Sequence, residues 1–87
     1  MNTYEKNHST KPLQTQYPEF SERLKIAMTI RQYTVEDLAT RTHTSQSTIS
    51  MYRCGKRLPN ILILRLIAKE LRVSSDYLLG LSDFNFV

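Results

Sequence analysis

Residues 34–59 constrain the fold most, because they form two short helical segments separated by a very short joint. Thr34 is a favourable helix cap, and acidic residues follow it in the first turn, where the helix dipole favours carboxylates. Ser45 interrupts the helical pattern and caps a second segment, Gln46–Arg53, whose apolar residues are spaced i and i+3. A joint of about three residues forces two helices to cross steeply. The sequence therefore predicts a helix-turn-helix whose second helix is free on one side.

Capping residues predict the other helices, and the absence of strand-like alternation indicates an all-α fold. A first helix is expected over about residues 19–31. Gly55 can take the left-handed geometry that ends the third helix, and Asn60 is a cap for a fourth. Ser74 caps a short fifth helix through Leu79, and Gly80 ends it. The residues expected to face the core are Phe20, Leu24, Ala27, Met28, Leu38, Ala39, Thr42, Ile49, Tyr52, Ile61, Leu64, Ile67, Ala68, Leu71, Val73, Tyr77 and Leu78.

Length and composition indicate one small domain. With 87 residues there is no room for a second core. Residues 1–18 are polar and without periodicity, so they are expected to be a flexible tail; 19–81 form the domain, and 82–87 an apolar C-terminal tail. The longest apolar run, 61–64, is too short for a membrane span, and no apolar segment near the start resembles a signal peptide. A cytoplasmic, nucleoid-associated protein is expected.

From Phe20 to Leu81 the chain resembles the lambda-repressor-like DNA-binding domains of the Cro/CI (XRE) family. FSERLKIAMTIRQYT resembles the opening helix of that family, VEDLATRTHTSQSTISMYRCGKR its helix-turn-helix, and LPNILILRLIAKELRVSSDYLLGL its closing pair of helices. The resemblance implies a five-helix fold with the helix-turn-helix at helices 2 and 3. It also implies sequence-specific binding of double-stranded DNA by a transcriptional regulator, expected to be a repressor that binds an inverted-repeat operator as a homodimer.

The start of the third helix carries the expected base contacts. Glutamine can bond an adenine at two positions, serine suits several bases, and methionine can touch a thymine methyl group. The resemblance assigns base contacts to Gln46, Ser47, Ser50 and Met51, and phosphate contacts to Thr48 and Lys56 and, less firmly, to Ser45 and Arg57. The alternative for Ser47 and Ser50 is that they only make the surface soluble.

Charge is distributed unevenly along the chain, whose net charge is +4. Between Asp37 and Glu70 there is no carboxylate, whereas that interval contains Arg41, Arg53, Lys56, Arg57, Arg65 and Lys69. Such a region is typical of a surface that displaces counterions from phosphates. Arg65 and Lys69 have the alternative interpretation of a solvated face on the fourth helix.

Several positions depart from the family pattern. His43 replaces a turn glycine, and histidine is among the better non-glycine residues in left-handed geometry. Met28 and Arg53 occupy places where the family often pairs an arginine with a glutamate, so Arg53 is expected to be free for a phosphate. Cys54 is the single cysteine and is expected to be inert, although neighbouring cations would favour a thiolate.

Outward apolar residues suggest a contact surface. Leu62 and Leu66 form an i, i+4 pair on the fourth helix, Ile26 and Ile30 form one on the first, and the tail adds Phe84 and Phe86. Leu62, Leu66 and the tail are the preferred surface for joining a homodimer, because they lie late in the chain, away from the third helix, which must stay open to DNA. The alternative function is an antitoxin or interaction module of the same fold, whose apolar surface binds a toxin or an antirepressor. No catalytic constellation, metal cluster or cofactor motif is present in the sequence, so no enzyme, metal or cofactor is expected.

Overall fold

The computed structural model describes residues 18–83, and this part of the chain is all-helical. Its five helices are α1 (Pro18–Arg31), α2 (Val35–Thr42), α3 (Gln46–Arg53), α4 (Ile61–Leu71) and α5 (Ser75–Leu78). The predicted five-helix, all-α class is confirmed, with boundaries within one residue of those expected. The predicted N-terminal tail, apart from Pro18, and the tail residues Phe84 to Val87 lie outside the described residues.

Each of the four predicted caps is confirmed. The side-chain oxygens of Thr34, Ser45, Asn60 and Ser74 accept the backbone N–H three residues later, at 2.9–3.1 Å. At α2 the cap is reciprocal, because the Thr34 N–H donates to the Asp37 carboxylate at 2.9 Å. These hydrogen bonds from Thr34 lower the pKa of the Asp37 carboxyl group. The stabilisation is therefore present above the ordinary aspartate pKa and is lost as the pH falls through the lowered value.

All five helices end in the same way, with a left-handed residue just after the last turn. The residue after it donates its N–H back to a carbonyl five positions earlier, at 2.8–3.0 Å, which is the Schellman arrangement. The left-handed positions, with φ between 57° and 81°, are Gln32, His43, Gly55, Arg72 and Gly80. The two glycines and His43 were predicted, whereas Gln32 and Arg72 have no sequence signal because any residue can be forced into this conformation by the packing around it.

Replacing His43 by glycine should stabilise the domain. A side chain in left-handed geometry costs about 1–2 kcal/mol, and glycine loses part of that gain to backbone entropy. We expect the free energy of unfolding to rise by about 0.5–1 kcal/mol, measured by urea denaturation followed by circular dichroism. His43→Ala is the matched control, because it removes the imidazole but keeps the Cβ atom. An equal gain in both variants would show that the imidazole, not the backbone, is unfavourable.

One apolar cluster joins the helices, and sixteen of the seventeen predicted inward residues lie in or against it. Leu24, Leu38, Ile49, Ile67 and Leu71 are fully buried. The hydroxyl of buried Thr42 donates to the Leu38 carbonyl oxygen at 2.7 Å. Leu64 and the unpredicted Tyr33, Val35 and Ile63 are partly buried against the cluster.

The prediction that Ile61 is buried was wrong, since 84% of its surface is exposed. Ile61 lies on the same side of α4 as Leu64 and Ala68, and these residues line a shallow depression together with Ser75. The helical face was therefore identified correctly. However, α5 begins only at Ser75 and has four residues, and within residues 18–83 nothing covers Ile61.

The packing of α3 leaves one side of it open. Helices α1 and α2 pack against α3 from behind. The rings of Phe20 and Tyr52 meet edge to face, with centroids 6.3 Å apart. The hydroxyl of Ser21 donates to the Arg53 carbonyl oxygen and so fixes the end of α3 to α1. The fold thus holds α3 rigidly by its inner side and presents its outer side to solvent.

Candidate nucleic-acid interface

The outer side of α3 carries three of the four residues predicted to contact bases. Gln46, Ser47 and Ser50 are exposed, while Ile49 and Tyr52 form the buried inner side of α3. Met51 differs from this set, because it is half-buried. The structure therefore brings Gln46, Ser47 and Ser50 together on one polar surface and places Met51 at its edge.

Hydroxyl groups cluster at the start of α3. The Ser45 oxygen lies 2.8 Å from the Thr48 oxygen and 3.4 Å from the Ser47 oxygen. Ser45 also accepts the Thr48 N–H at 3.1 Å. If the single proton of Ser45 is directed to Thr48, the Thr48 hydroxyl keeps its own proton for an outside acceptor. A helix N-terminus with an available hydroxyl donor is chemically suited to an anionic oxygen.

Exposed cations follow the end of α3. Gly55 is left-handed, and the Lys56 N–H donates to the Met51 carbonyl oxygen at 3.0 Å, so the chain turns sharply away from the helix axis. Lys56 and Arg57 are exposed, and neither makes a salt bridge within residues 18–83. Their charges are thus available at the end of the polar surface.

Arg53 is less accessible than the sequence predicts. Its Nε atom is buried and has no hydrogen-bond partner among the described residues. The side chain as a whole is half-buried, and it lines a small concavity with Lys25, Ser50 and Cys54. Met28, which replaces the family's arginine, is buried in the core. Only part of the Arg53 side chain is therefore available to a phosphate, whose contact stays a prediction.

One of the cations between Asp37 and Glu70 in the sequence is paired with a carboxylate. Arg41 forms a salt bridge with Glu70 at 3.2 Å, and the same carboxylate oxygen accepts the Tyr33 hydroxyl at 2.8 Å. This hydrogen bond to Glu70, together with burial, raises the pKa of the Tyr33 hydroxyl. The network joins α4 to α2 and to the residue before the α2 cap. Arg65 and Lys69 are exposed on α4, as their alternative interpretation requires.

Two arginines hold the helical bundle together, and the sequence analysis did not identify them. Arg23 lies over the Tyr77 ring, 4.5 Å from its centroid, and donates to the Ser82 carbonyl oxygen at 2.9 Å. Arg31 donates to the carbonyl oxygens of Leu71 and Arg72, at 2.7 and 3.1 Å, at the end of α4. No local pattern reveals such contacts, because their partners lie 40 or more positions away in the chain.

The predicted partner surface is divided in the structure. Leu62 is 58% exposed, whereas Leu66 is half-buried in a groove of about 500 Å³ that Tyr33 and Arg31 also line. Ile26 and Ile30 are exposed on α1. Phe84 and Phe86 lie outside the described residues. Additional exposed apolar side chains surround α5 and the start of α4, namely Leu58, Ile61, Leu79 and Leu81.

Residues 18–83 meet the requirements of neither a metal site nor a membrane span. From residue 18 to residue 83, no group of three or more His, Cys, Asp or Glu side chains is arranged to hold a metal ion. Over the same range, every helix falls short of the length and apolarity of a membrane span.

In this small all-helical bundle a short turn joins α2 to α3, and α3 is exposed on one side. This arrangement defines a helix-turn-helix DNA-binding domain. Comparison with protein families agrees, since residues 24–78 match the family described as helix-turn-helix. This stretch is more than half of the 87 residues, and the chain belongs to that family, of the Cro/CI (XRE) type. At the level of the family it is a DNA-binding transcriptional regulator. The comparisons find no match among curated proteins or solved structures.

Proposed function

We propose that this protein is a cytoplasmic, nucleoid-associated repressor that binds an inverted-repeat operator as a homodimer. The observation that carries the proposal is the composition of the open side of α3. It is polar along its length, has hydroxyl donors at its start and exposed cations after its end, and contains no carboxylate. Gln46, Ser47 and Ser50 read base edges in the major groove, and Met51 contacts a base from the edge of this surface.

Phosphate contacts at both ends of α3 set its position in the groove. Thr48 donates its hydroxyl proton to a phosphate at the start of the helix, Ser45 supports Thr48 through their 2.8 Å hydrogen bond, and Lys56 and Arg57 supply charge after the helix ends. Arg53 adds the exposed part of its guanidinium. Contacts of this kind fix register and orientation, while the base contacts supply sequence preference.

The homodimer forms through an apolar surface that we call the α5 rim, consisting of Leu58, Ile61, Leu79 and Leu81. Leu58 and Leu79 line one depression beside Phe20, and Ile61 lines the next one beside the start of α5. Exposed apolar side chains that cluster in this way are typical of contact surfaces. Leu62 and Leu66 on α4 are assigned to the same interface, as are Phe84 and Phe86, which lie outside the described residues.

Lys56→Ala tests the phosphate contacts. Each neutralised phosphate contributes a slope of about −0.9 to the dependence of log affinity on log salt for double-stranded DNA. We expect the variant to flatten this slope by about one and to weaken operator and random DNA alike. Lys69→Ala is the matched control, because Lys69 is an equally simple exposed lysine on α4. A wild-type slope for Lys56→Ala would remove Lys56 from the interface.

The second candidate function is that of an antitoxin or interaction module that binds a toxin or an antirepressor. The observation in its favour is the extent of the exposed apolar surface, which includes Leu62 as well as the α5 rim. Two results would favour this function over the homodimer. The protein would stay monomeric at high concentration, and its apolar surface would be covered only by a second protein encoded beside it.

A further inference from the structure

Lys25 lies beside the polar surface of α3, although it belongs to a different helix. A concavity of about 200 Å³ lies between α1 and the end of α3, and its lining residues are Lys25, Ser50, Arg53 and Cys54. Ser50 is one of the three exposed residues proposed to face the bases. The concavity is therefore continuous with the surface that faces DNA. Its lining has two cations, a hydroxyl and a thiol, but no carboxylate.

Arg53, which lines the concavity, has an unused hydrogen-bond donor. The Nε atom of Arg53 is buried without a partner among the described residues, and a buried donor without a partner is unfavourable. The backbone around it is fixed, because the hydroxyl of Ser21 on α1 holds the Arg53 carbonyl oxygen. An anionic oxygen in the concavity would be close to the guanidinium and to the Lys25 ammonium group.

The length of α3 explains why such a site lies at this end. Eight residues span about 12 Å, which is about the width of the major groove. A helix of that length in the groove has a sugar-phosphate backbone near each of its ends. The hydroxyl cluster of Ser45 and Thr48 lies at the start of α3, and the concavity lies at its end.

We infer that the concavity is a second phosphate site, in which Lys25 of α1 and Arg53 of α3 together hold one backbone phosphate of the bound DNA. This inference rests on the proposed function. It adds Lys25, which no sequence pattern assigned, to the interface, and it gives the half-buried Arg53 a definite ligand. Lys25 thereby fixes the angle of α3 in the groove from the neighbouring helix.

Neutralising single phosphates tests the pair of contacts directly. Operator duplexes with one methylphosphonate at a time are titrated with the wild type, Lys25→Ala and Lys69→Ala. We expect one position in each half-site where neutralisation weakens the wild type and Lys69→Ala more than Lys25→Ala, which keeps only the Arg53 contact. We also expect Lys25→Ala to lower the salt slope by about one. If every neutralised phosphate affects the three proteins alike, the inference is wrong. The proposed function fails separately, if the wild type binds no duplex more tightly than random DNA.

Cys54 provides a second test that leaves the interface intact. It is the single cysteine of the chain, is exposed and lines the concavity. Saturating operator DNA should slow its alkylation by N-ethylmaleimide, because the phosphate backbone covers the site. The control is the double variant Cys54→Ser with Lys69→Cys, whose thiol on α4 should react at the same rate with and without DNA. Unchanged alkylation of Cys54 in the saturated complex would overturn the inference.

Discussion

Replacing Ile61 and Leu79 by glutamate should lower affinity for an inverted-repeat operator by about 100-fold or more, because linked binding to two half-sites gives gains of that size. Both side chains are exposed in the monomer and belong to the α5 rim, so the charges should repel across the dimer interface without disturbing the core. The two recognition helices must lie about 34–36 Å apart to reach successive major grooves, and only a dimer fixes that distance. Gel-shift titration on the full operator measures the loss, and light scattering measures the dimer.

The matched control is Ile26→Glu with Ile30→Glu, which places the same charges on the exposed apolar pair of α1. We expect this variant to keep wild-type dimerisation and operator affinity. Leu62→Glu with Leu66→Glu separates the α4 surface from the α5 rim, and truncation after Asp83 tests the tail. All variants should keep the wild-type helical circular dichroism spectrum. A folded Ile61, Leu79 variant that still dimerises and binds normally would exclude the α5 rim as the interface.

Gln46→Ala should cost about 1–3 kcal/mol of operator affinity and relax the preference at one base pair of each half-site. Gln46 is the first residue of α3, is exposed and has no hydrogen-bonding role in the fold among the described contacts. Its amide is therefore free to bond two atoms of an adenine. The stability of the free protein should not change, which thermal unfolding measures.

Gln46→Glu is the matched control, since it keeps the size of the side chain but removes its donor group and adds a negative charge. We expect it to bind worse than Gln46→Ala on every sequence. The comparison that matters is operator against random duplex. If Gln46→Ala weakens both equally, Gln46 contributes to the surface but does not read a base.

The local sequence was sufficient to predict the helices and their caps. Thr34, Ser45, Asn60 and Ser74 are each followed by a helical pattern, and a capping oxygen acts on the backbone only three residues away, so the signal is contained in the sequence itself. Gly55 is identified for a similar reason. The exposure of Ser47 follows from the burial of Ile49 and Tyr52, because Ser47 lies on the opposite side of the helix.

Features that depend on how helices pack were not predictable in this way. Ile61 lies on the apolar side of α4 but beyond the reach of α5, and the length of α5 is set by Gly80 rather than by anything in α4. The closeness of Lys25 to Ser50 depends on where α1 crosses α3, and these residues are 25 positions apart in the chain. The salt bridge of Arg41 with Glu70 likewise removes a cation that the charge pattern had counted as available.

Selection of bound sequences from a random duplex pool tests the central claim, that the open side of α3 reads DNA sequence, most directly. We predict that the wild type enriches one short sequence in two inverted copies, with centres about one helical turn apart. Gln46→Ala should enrich a related sequence that is degenerate at one position of each copy. Two results would contradict the claim that Gln46 and its neighbours on α3 determine what this protein binds. Either the wild type enriches no sequence, or Gln46→Ala enriches the wild-type sequence with the same preference at every position.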